Sequence, residues 1–306
     1  MKMNIIKAIA SVVLGITVAG CAKWNSTESL PLDTSHPWDR EPELWEDYKS
    51  AIRDYKARKH SLVYVRFENS PETPVSEKGY MRCLPDSLDI VSLTNADNFS
   101  KFDAEDMEWM RSIGTKVLYN VDYAGRKDIL GDEAALYSYL DMVIASVKKN
   151  GLDGYSFTGT PKAGDASVAA ASAKIVGTLS SARTAGQLLV FEGDPAFIAD
   201  EDMDKIDLFV LETELDENSY QVRGTIEDAS ERGISKDRML LAVSFEGVYY
   251  NESNAEVPVI EAMADNTVSY GPMAGLALYD IEKDYYHYEG NWLTLRSTIE
   301  RLNPGK

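Results

Sequence analysis

From residue 61 onward the chain alternates short apolar runs with helix-like stretches, and this alternation constrains its fold more than any other feature. The strand candidates are residues 62–67, 89–94, 116–121, 152–157, 187–191, 207–211, 239–245 and 275–279. Most are nearly continuous apolar runs, as expected for parallel strands buried on both faces. Helical stretches fall between them, at residues 103–113, 133–149, 166–182, 220–232 and 259–265, and a last one at 292–302 closes the chain. The runs repeat every ~31 residues, the length of about one βα unit, and together they span roughly the size of a single barrel. The pattern predicts an α/β chain forming a single (β/α)8 TIM barrel. A doubly wound open sheet is the alternative, but it ordinarily carries a glycine-rich phosphate loop after its first strand. Here that strand leads into Glu68-Asn69-Ser70-Pro71.

The residues before the barrel divide into three parts. Lys2 and Lys7 form a short basic region, and an apolar stretch from Ile5 to Val18, broken only by small or polar residues, leads into Val18-Ala19-Gly20-Cys21. This reads as a secretory leader (residues 1–20) whose apolar segment is too short for a stable membrane span. Small residues directly before a cysteine resemble the bacterial lipoprotein processing site, which makes Cys21 the expected lipidated N-terminus. An ordinary buried cysteine after a small-residue cut is the alternative. Residues 21–36 are polar, rich in Ser and Thr and without period, and read as a flexible tether. In residues 37–60, Trp38, Leu44, Trp45, Tyr48, Ile52 and Tyr55 recur at spacings near three, four and seven. That spacing predicts an amphipathic helix whose aromatic face docks on the barrel, so the folded domain is expected over residues 37–306.

Charge excludes one class of function. Lys and Arg number 31 against 50 Asp and Glu, giving a net charge of −19, and such a surface repels nucleic-acid phosphates. With 44% hydrophobic and 26% charged residues the mixture is globular and carries enough apolar material for a large core. Once Cys21 is acylated, Cys83 is the only other cysteine, so no internal disulfide can form even in an oxidising compartment. The core alone must then stabilise the fold.

In a barrel of this type the functional site lies where the strands end. The residues that finish the runs are Arg66 and Glu68, then Thr94, Asn95 and Asp97, then Asn120, Asp122 and Tyr123, then Ser156, Thr158 and Thr160. The later strands supply Glu192 and Asp194, Glu212 and Glu214, Glu246, Tyr249 and Tyr250, and finally Tyr279 and Asp280, with Tyr285, Tyr286 and Tyr288 beyond. Polar groups interleaved with aromatics suit a carbohydrate, which offers both hydroxyls and apolar C–H faces. Many such residues would equally serve as ordinary loop positions.

The fourth run carries a family resemblance. Asp153-Gly154-Tyr155-Ser156-Phe157-Thr158-Gly159-Thr160 resembles the DGxDxDxE signature of glycoside hydrolase family 18, shared by chitinases and endo-β-N-acetylglucosaminidases. Lys148-Lys149-Asn150-Gly151 before it, Asp89-Ile90-Val91-Ser92-Leu93 and Gly275-Leu276-Ala277-Leu278-Tyr279-Asp280 resemble the neighbouring helix end, second strand and eighth strand. The whole is similar to the endoglycosidase-like lipoproteins of Bacteroidetes glycan-utilisation systems. Asp153 and Gly154 fit the motif, but Ser156 and Thr158 stand in the places of its later aspartates and Thr160 in that of its catalytic glutamate. In the family that glutamate protonates the leaving oxygen while the substrate's own acetamido group attacks. A threonine hydroxyl cannot act as a general acid near neutral pH.

The resemblance therefore implies a catalytically inactive surface lipoprotein of the outer membrane that binds N-acetylglucosamine-containing glycans of N-glycan type. Its ligand residues would be Asn120, Asp122, Ser156, Thr158, Glu192, Glu212, Tyr249, Tyr250 and Tyr279. The implied partners are the glycan, the membrane and other glycan-uptake proteins, with no cofactor and no nucleic acid. Two alternatives remain open at this point. A different carboxylate pair, Glu192 with Glu212, Glu214 or Glu246, could hydrolyse the glycan from other strands, or the chain could be an interaction lipoprotein with a vestigial cleft.

Other chemistries find little support. The three histidines, His36, His60 and His287, are far apart, and no HExxH or Cys–His cluster exists, so no transition-metal site is expected. His36 and His60 are expected to be solvated, and His287 to sit in a loop. Gly125-Arg126-Lys127-Asp128 could meet an anionic sugar but reads as a solvated loop. Residues 200–204 are acidic but lack a calcium-loop pattern, and read as a helix start.

Overall fold

The computed structural model describes residues 37–69 and 76–305. The expected leader, Cys21, the tether and His36 lie outside the described residues. The chain divides into two units, Met1–Glu46 and Asp47–Lys306, so the boundary falls inside the expected N-terminal helix rather than ahead of it.

In the first unit, Pro37–Arg40 forms one helical turn, and the rings of Trp38 and Trp45 lie 5.6 Å apart. The expected single helix is interrupted at Glu41, because a residue directly before proline is disfavoured in the helical conformation. Helix α1 then runs Pro42–Ala57. Its part beyond Asp47 is tied to the barrel by polar groups as much as by rings. The Tyr48 hydroxyl donates to Asp86, the Arg53 guanidinium to the Ser112 carbonyl at 2.6 Å and the Lys56 ammonium to Thr115 Oγ1 at 2.6 Å.

The second unit is the expected barrel. Its eight strands are β1 Leu62–Phe67, β2 Ile90–Leu93, β3 Lys116–Val121, β4 Gly154–Gly159, β5 Leu188–Gly193, β6 Leu208–Leu211, β7 Met239–Ser244 and β8 Gly275–Tyr279. All pair in parallel with their sequence neighbours, and β1 closes the barrel against β8 through pairs such as Val65 with Leu278. The helices outside are α2 Lys101–Ser112, α3 Glu133–Asn150, α4 Ala166–Ala182, α5 Ser219–Glu231, α6 Val259–Ser269 and α7 Leu293–Leu302. A two-residue ribbon, Tyr249–Tyr250 with Glu256–Val257, stands after β7.

Alternation along each strand separates two cores. Val63, Val65, Val91, Phe157 and Leu276 face the helices. Tyr64, Ile90, Leu118, Val190, Val210, Leu240, Ala242 and Ala277 fill the barrel interior, so the barrel is packed and not a pore.

The end of the barrel where the strands begin shows a repeated device. An aspartate just before each of β2, β4 and β6 accepts the amide of the second residue of the preceding strand. Asp89 holds Val63 at 2.9 Å, Asp153 holds Val117 at 3.0 Å and Asp207 holds Leu189 at 2.7 Å. Asp153 also accepts Lys116 Nζ at 3.2 Å. The next residue, Gly154, has φ +136°, and a Cβ there would meet the Leu188 carbonyl oxygen at 2.1 Å. The Asp153-Gly154 pair is therefore required by the close approach of β4 to its neighbours, and β4 begins two residues later than expected.

His60 departs from its expected solvation. Its side chain is 2% exposed and places Nε2 2.8 Å from Asp89, beside the Tyr55 ring. Burying the apolar ring against α1 while giving its nitrogen an acceptor satisfies both halves of the side chain.

Candidate binding cleft

Where the strands end, the interior changes from apolar to polar within one layer of side chains. On β5 the inward phase carries Leu188, Val190 and then Glu192, which is 2% exposed. A buried carboxylate is tolerated only with donors around it, and five converge here. Oε1 accepts Tyr64 Oη at 2.6 Å, Asn120 Nδ2 at 2.9 Å and Ser92 Oγ at 3.3 Å. Oε2 accepts Arg66 Nε at 2.6 Å and Tyr279 Oη at 3.1 Å. Ser156 joins through its Oγ, 2.7 Å from Ser92 and 2.9 Å from Asn120 Nδ2. The donors come from β1, β2, β3 and β8, and with Ser156 of β4 and Glu192 of β5 the network joins six of the eight strands.

Electrostatics fix the protonation of this layer. Burial pushes the phenols of Tyr64 and Tyr279 well above their usual range, so both remain donors. Burial disfavours the charge on Arg66, but Glu192 beside it outweighs that effect and holds the guanidinium charged. The same guanidinium lies 3.8 Å from the centre of the Tyr279 ring, a cation–π contact. With five donors around its two oxygens and a guanidinium among them, the Glu192 carboxyl is held in place by its neighbours.

Above this layer opens a cleft of about 670 Å³. Arg66 and Tyr279 form part of its lining, with Thr94, Asn95 and Ser244 at the sides and the carboxylates Glu68, Glu214, Glu246, Asp280 and Glu282 around it. Two of these acids have local partners. Ser244 Oγ donates to Asp280, and Glu246 pairs with Lys283 at 2.9 Å. Glu214 differs, because its Oε2 is shielded from water and has no hydrogen-bond partner among the described residues. Burial first, then the negative charges of Glu212 and Glu192, push its carboxyl up to about 7 against the lowering effects of its backbone amide and Arg66.

The residues expected from sequence fall into four places. Glu192, Asn120 and Ser156 meet in the buried network, and Tyr279 joins that network to the cleft. Thr158 lies beside them but points its hydroxyl into the turn after β3, donating to Asp122 Oδ1 at 2.8 Å and accepting the Ala124 amide at 3.0 Å. Thr160 and Glu212 are exposed. Tyr249 and Tyr250 belong to the ribbon after β7. Tyr249 is buried and accepts Asn266 Nδ2 at 2.7 Å, and Tyr250 is half-buried.

Outside the cleft, Arg126 is held by Asp97, which also accepts Tyr119 and Tyr139. His287 places Nε2 2.6 Å from Asp284, so its ring orients the last turn before α7. No cluster of three metal-ligating side chains occurs among the described residues, and no described helix is long and apolar enough to cross a membrane.

Two cleft residues, Arg66 and Glu214, are strand ends outside the expected ligand set, and Ser244 lies inside its expected strand. The signal that marks Arg66 is its phase. Leu62, Tyr64 and Arg66 alternate on one face, so a strand that places Tyr64 in the interior must place Arg66 there too.

Comparison with known proteins places this geometry in context. Residues 26–139 match the model of glycoside hydrolase family 18, BT1044-like. A solved structure of a BT1044 variant shares 20% identity and a TM-score of 0.71, covering 90% of this chain and 98% of its own. A variant endo-β-N-acetylglucosaminidase from Cordyceps militaris, in complex with fucosyl-N-acetylglucosamine-Asn, shares 19% identity and a TM-score of 0.59, covering 83% and 95%. A chitinase from Bacteroides thetaiotaomicron shares 11% identity and a TM-score of 0.60, covering 80% and 97%. At these identities the likeness establishes the barrel fold. No curated protein matches the sequence.

Proposed function

We propose that this chain, which resembles the BT1044-like branch of glycoside hydrolase family 18, is a catalytically silent lipoprotein that binds N-acetylglucosamine-containing glycans in its cleft. One observation carries the reading. The interior carboxyl of the cleft, Glu192, is engaged by five donors including Arg66, and the β4 positions corresponding to the family's acidic motif hold Ser156, Thr158 and Thr160. Hydroxyls keep hydrogen-bonding capacity without supplying an acid of suitable strength. The ligand of one structural neighbour, fucosyl-N-acetylglucosamine-Asn, supports the choice of glycan class. Cys21 would carry the lipid, residues 22–36 would hold the barrel away from the outer membrane, and other glycan-uptake proteins would act beside it.

The test is frontal chromatography of labelled N-acetylglucosamine oligomers and a free N-glycan over immobilised protein. Retardation that saturates, with ligand recovered intact, supports binding. Elution of all of them in the void volume overturns it and favours an interaction lipoprotein.

A second reading, hydrolysis by a carboxylate outside the β4 positions, is favoured by Glu214. Its raised affinity for a proton in a concave site is what a general acid requires. Release of a shortened glycan during the same chromatography would select this reading.

A further inference from the structure

Among the described residues that line the cleft, Glu214 is the carboxyl whose surroundings call for a proton. It follows β6 and lines the cleft, and its Oε2 is buried without a partner among the described residues. An ionised oxygen in that position would lack both water and a donor, a costly state. The protonated acid has one O–H to give and demands less of its environment.

The charged groups around Glu214 act in both directions, the carboxylates raising its proton affinity and Arg66 lowering it. From β5 and the end of β6 come Glu192 and Glu212, both negative, and from β1 comes Arg66. Arg66 does not serve Glu214, because its Nε is 2.6 Å from Glu192 and its plane lies over Tyr279. Elsewhere in the lining, Glu246 is paired with Lys283, Asp280 accepts Ser244, and Glu68 and Glu282 add negative charge.

We propose that Glu214 recognises the ligand as a carboxylic acid, donating a proton carried on Oε1, the carboxyl oxygen other than the shielded Oε2, in a hydrogen bond to an acceptor oxygen of a neutral sugar. This rests on the binding reading above and adds a specificity determinant to it. The acceptor is an acetamide carbonyl or a ring hydroxyl, and the donor is lost when the acid ionises. An anionic sugar would meet the surrounding carboxylates instead, so the cleft favours neutral glycans. The raised proton affinity of Glu214, near 7, sets the pH range in which this recognition operates.

The test is calorimetric affinity for a free N-glycan bearing its two core N-acetylglucosamines, measured from pH 6 to 8.5 on wild-type protein and E214Q. Wild-type affinity is expected to fall by roughly thirtyfold across that range, as one proton required for binding is lost. E214Q, whose amide donates at every pH, is expected to give a flat profile, and E214A to bind weakly throughout. Saturable wild-type binding with a flat profile, or with the same slope in E214Q, overturns the role of Glu214 and leaves the binding reading standing. Absence of saturable wild-type binding at every pH overturns both. A glycan shortened by wild type but not by E214Q overturns the donor role in favour of an acid catalyst.

Discussion

The Nε of Arg66 stands 2.6 Å from Oε2 of Glu192, on the floor of the cleft. The carboxylate is fully covered and the guanidinium is 30% exposed, so one face of the pair belongs to the core and the other to the site. Removing the charge of Glu192 leaves a largely buried cation uncompensated. E192Q should therefore lose about 3–5 kcal/mol of stability, and adding Arg66→Met should recover a substantial part of it. Urea unfolding of the single and double variants checks this. A double variant no more stable than E192Q would show that the pair is not the source of the loss.

Asp153 occupies the first position of the family-like β4 run, yet its carboxylate holds the Val117 amide at 3.0 Å where the strands begin. D153A should cost about 1–3 kcal/mol, the penalty for leaving a backbone donor unsatisfied. Glycan affinity should not change, because the cleft opens where the strands end. Lost affinity at unaltered stability would return Asp153 to the site.

Ser156 is fully buried, and its hydroxyl lies 2.7 Å from Ser92, which itself donates to Glu192. Restoring an aspartate there puts a second carboxylate into a layer already built around one. S156D should take up a proton well above the usual carboxylate range or destabilise the barrel by a few kcal/mol, roughly the cost of a buried unpaired charge. The exposed T160E should change stability by no more than about 0.5 kcal/mol. Thermal unfolding as a function of pH distinguishes the two, and equal tolerance of both would contradict the account of the network.

Glu214 should also leave a signature in stability without any ligand. Its proton affinity rises from an ordinary 4.5 to about 7 on folding, so between those values the folded protein holds more protons than the unfolded chain. Its contribution is fully present below about pH 4.5 and is lost as pH rises through about 7. That contribution amounts to at most about 3 kcal/mol. Subtracting the E214Q profile from the wild-type profile isolates it from the other carboxylates. A difference curve that is level across this window would contradict the raised value.

The lipid anchor is testable apart from the barrel. Cells fed labelled palmitate should incorporate label into the wild-type chain and not into Cys21→Ser, and the variant should leave the membrane fraction. Equal labelling of both would exclude Cys21 as the lipidated residue.

Much of this architecture was legible in the sequence because parallel strands buried on both faces read as continuous apolar runs. The limits of β1, β3 and β8 follow directly from that pattern. β4 was misplaced by two residues because Leu152 is apolar but precedes the ladder, while Gly159 extends it without an apolar side chain. His60 was missed because its acceptor, Asp89, is distant in sequence. The site was legible as a set of strand ends but not as a geometry. Tyr249 looked like a ligand aromatic and is instead buried against Asn266, and Glu192 looked like a catalytic or ligand carboxylate and is held by five donors. Sequence spacing locates a residue at the end of a strand, but hydrogen bonds across the barrel decide whether it faces ligand or is held by its neighbours.

The most direct test of the central claim is a calorimetric titration of the protein at pH 6 with a free N-glycan carrying both core N-acetylglucosamines, followed by mass analysis of the recovered glycan. The account predicts a saturable isotherm, no continuing heat and an undiminished glycan mass. Sustained heat proportional to protein, with a glycan shortened between its core sugars, would contradict it.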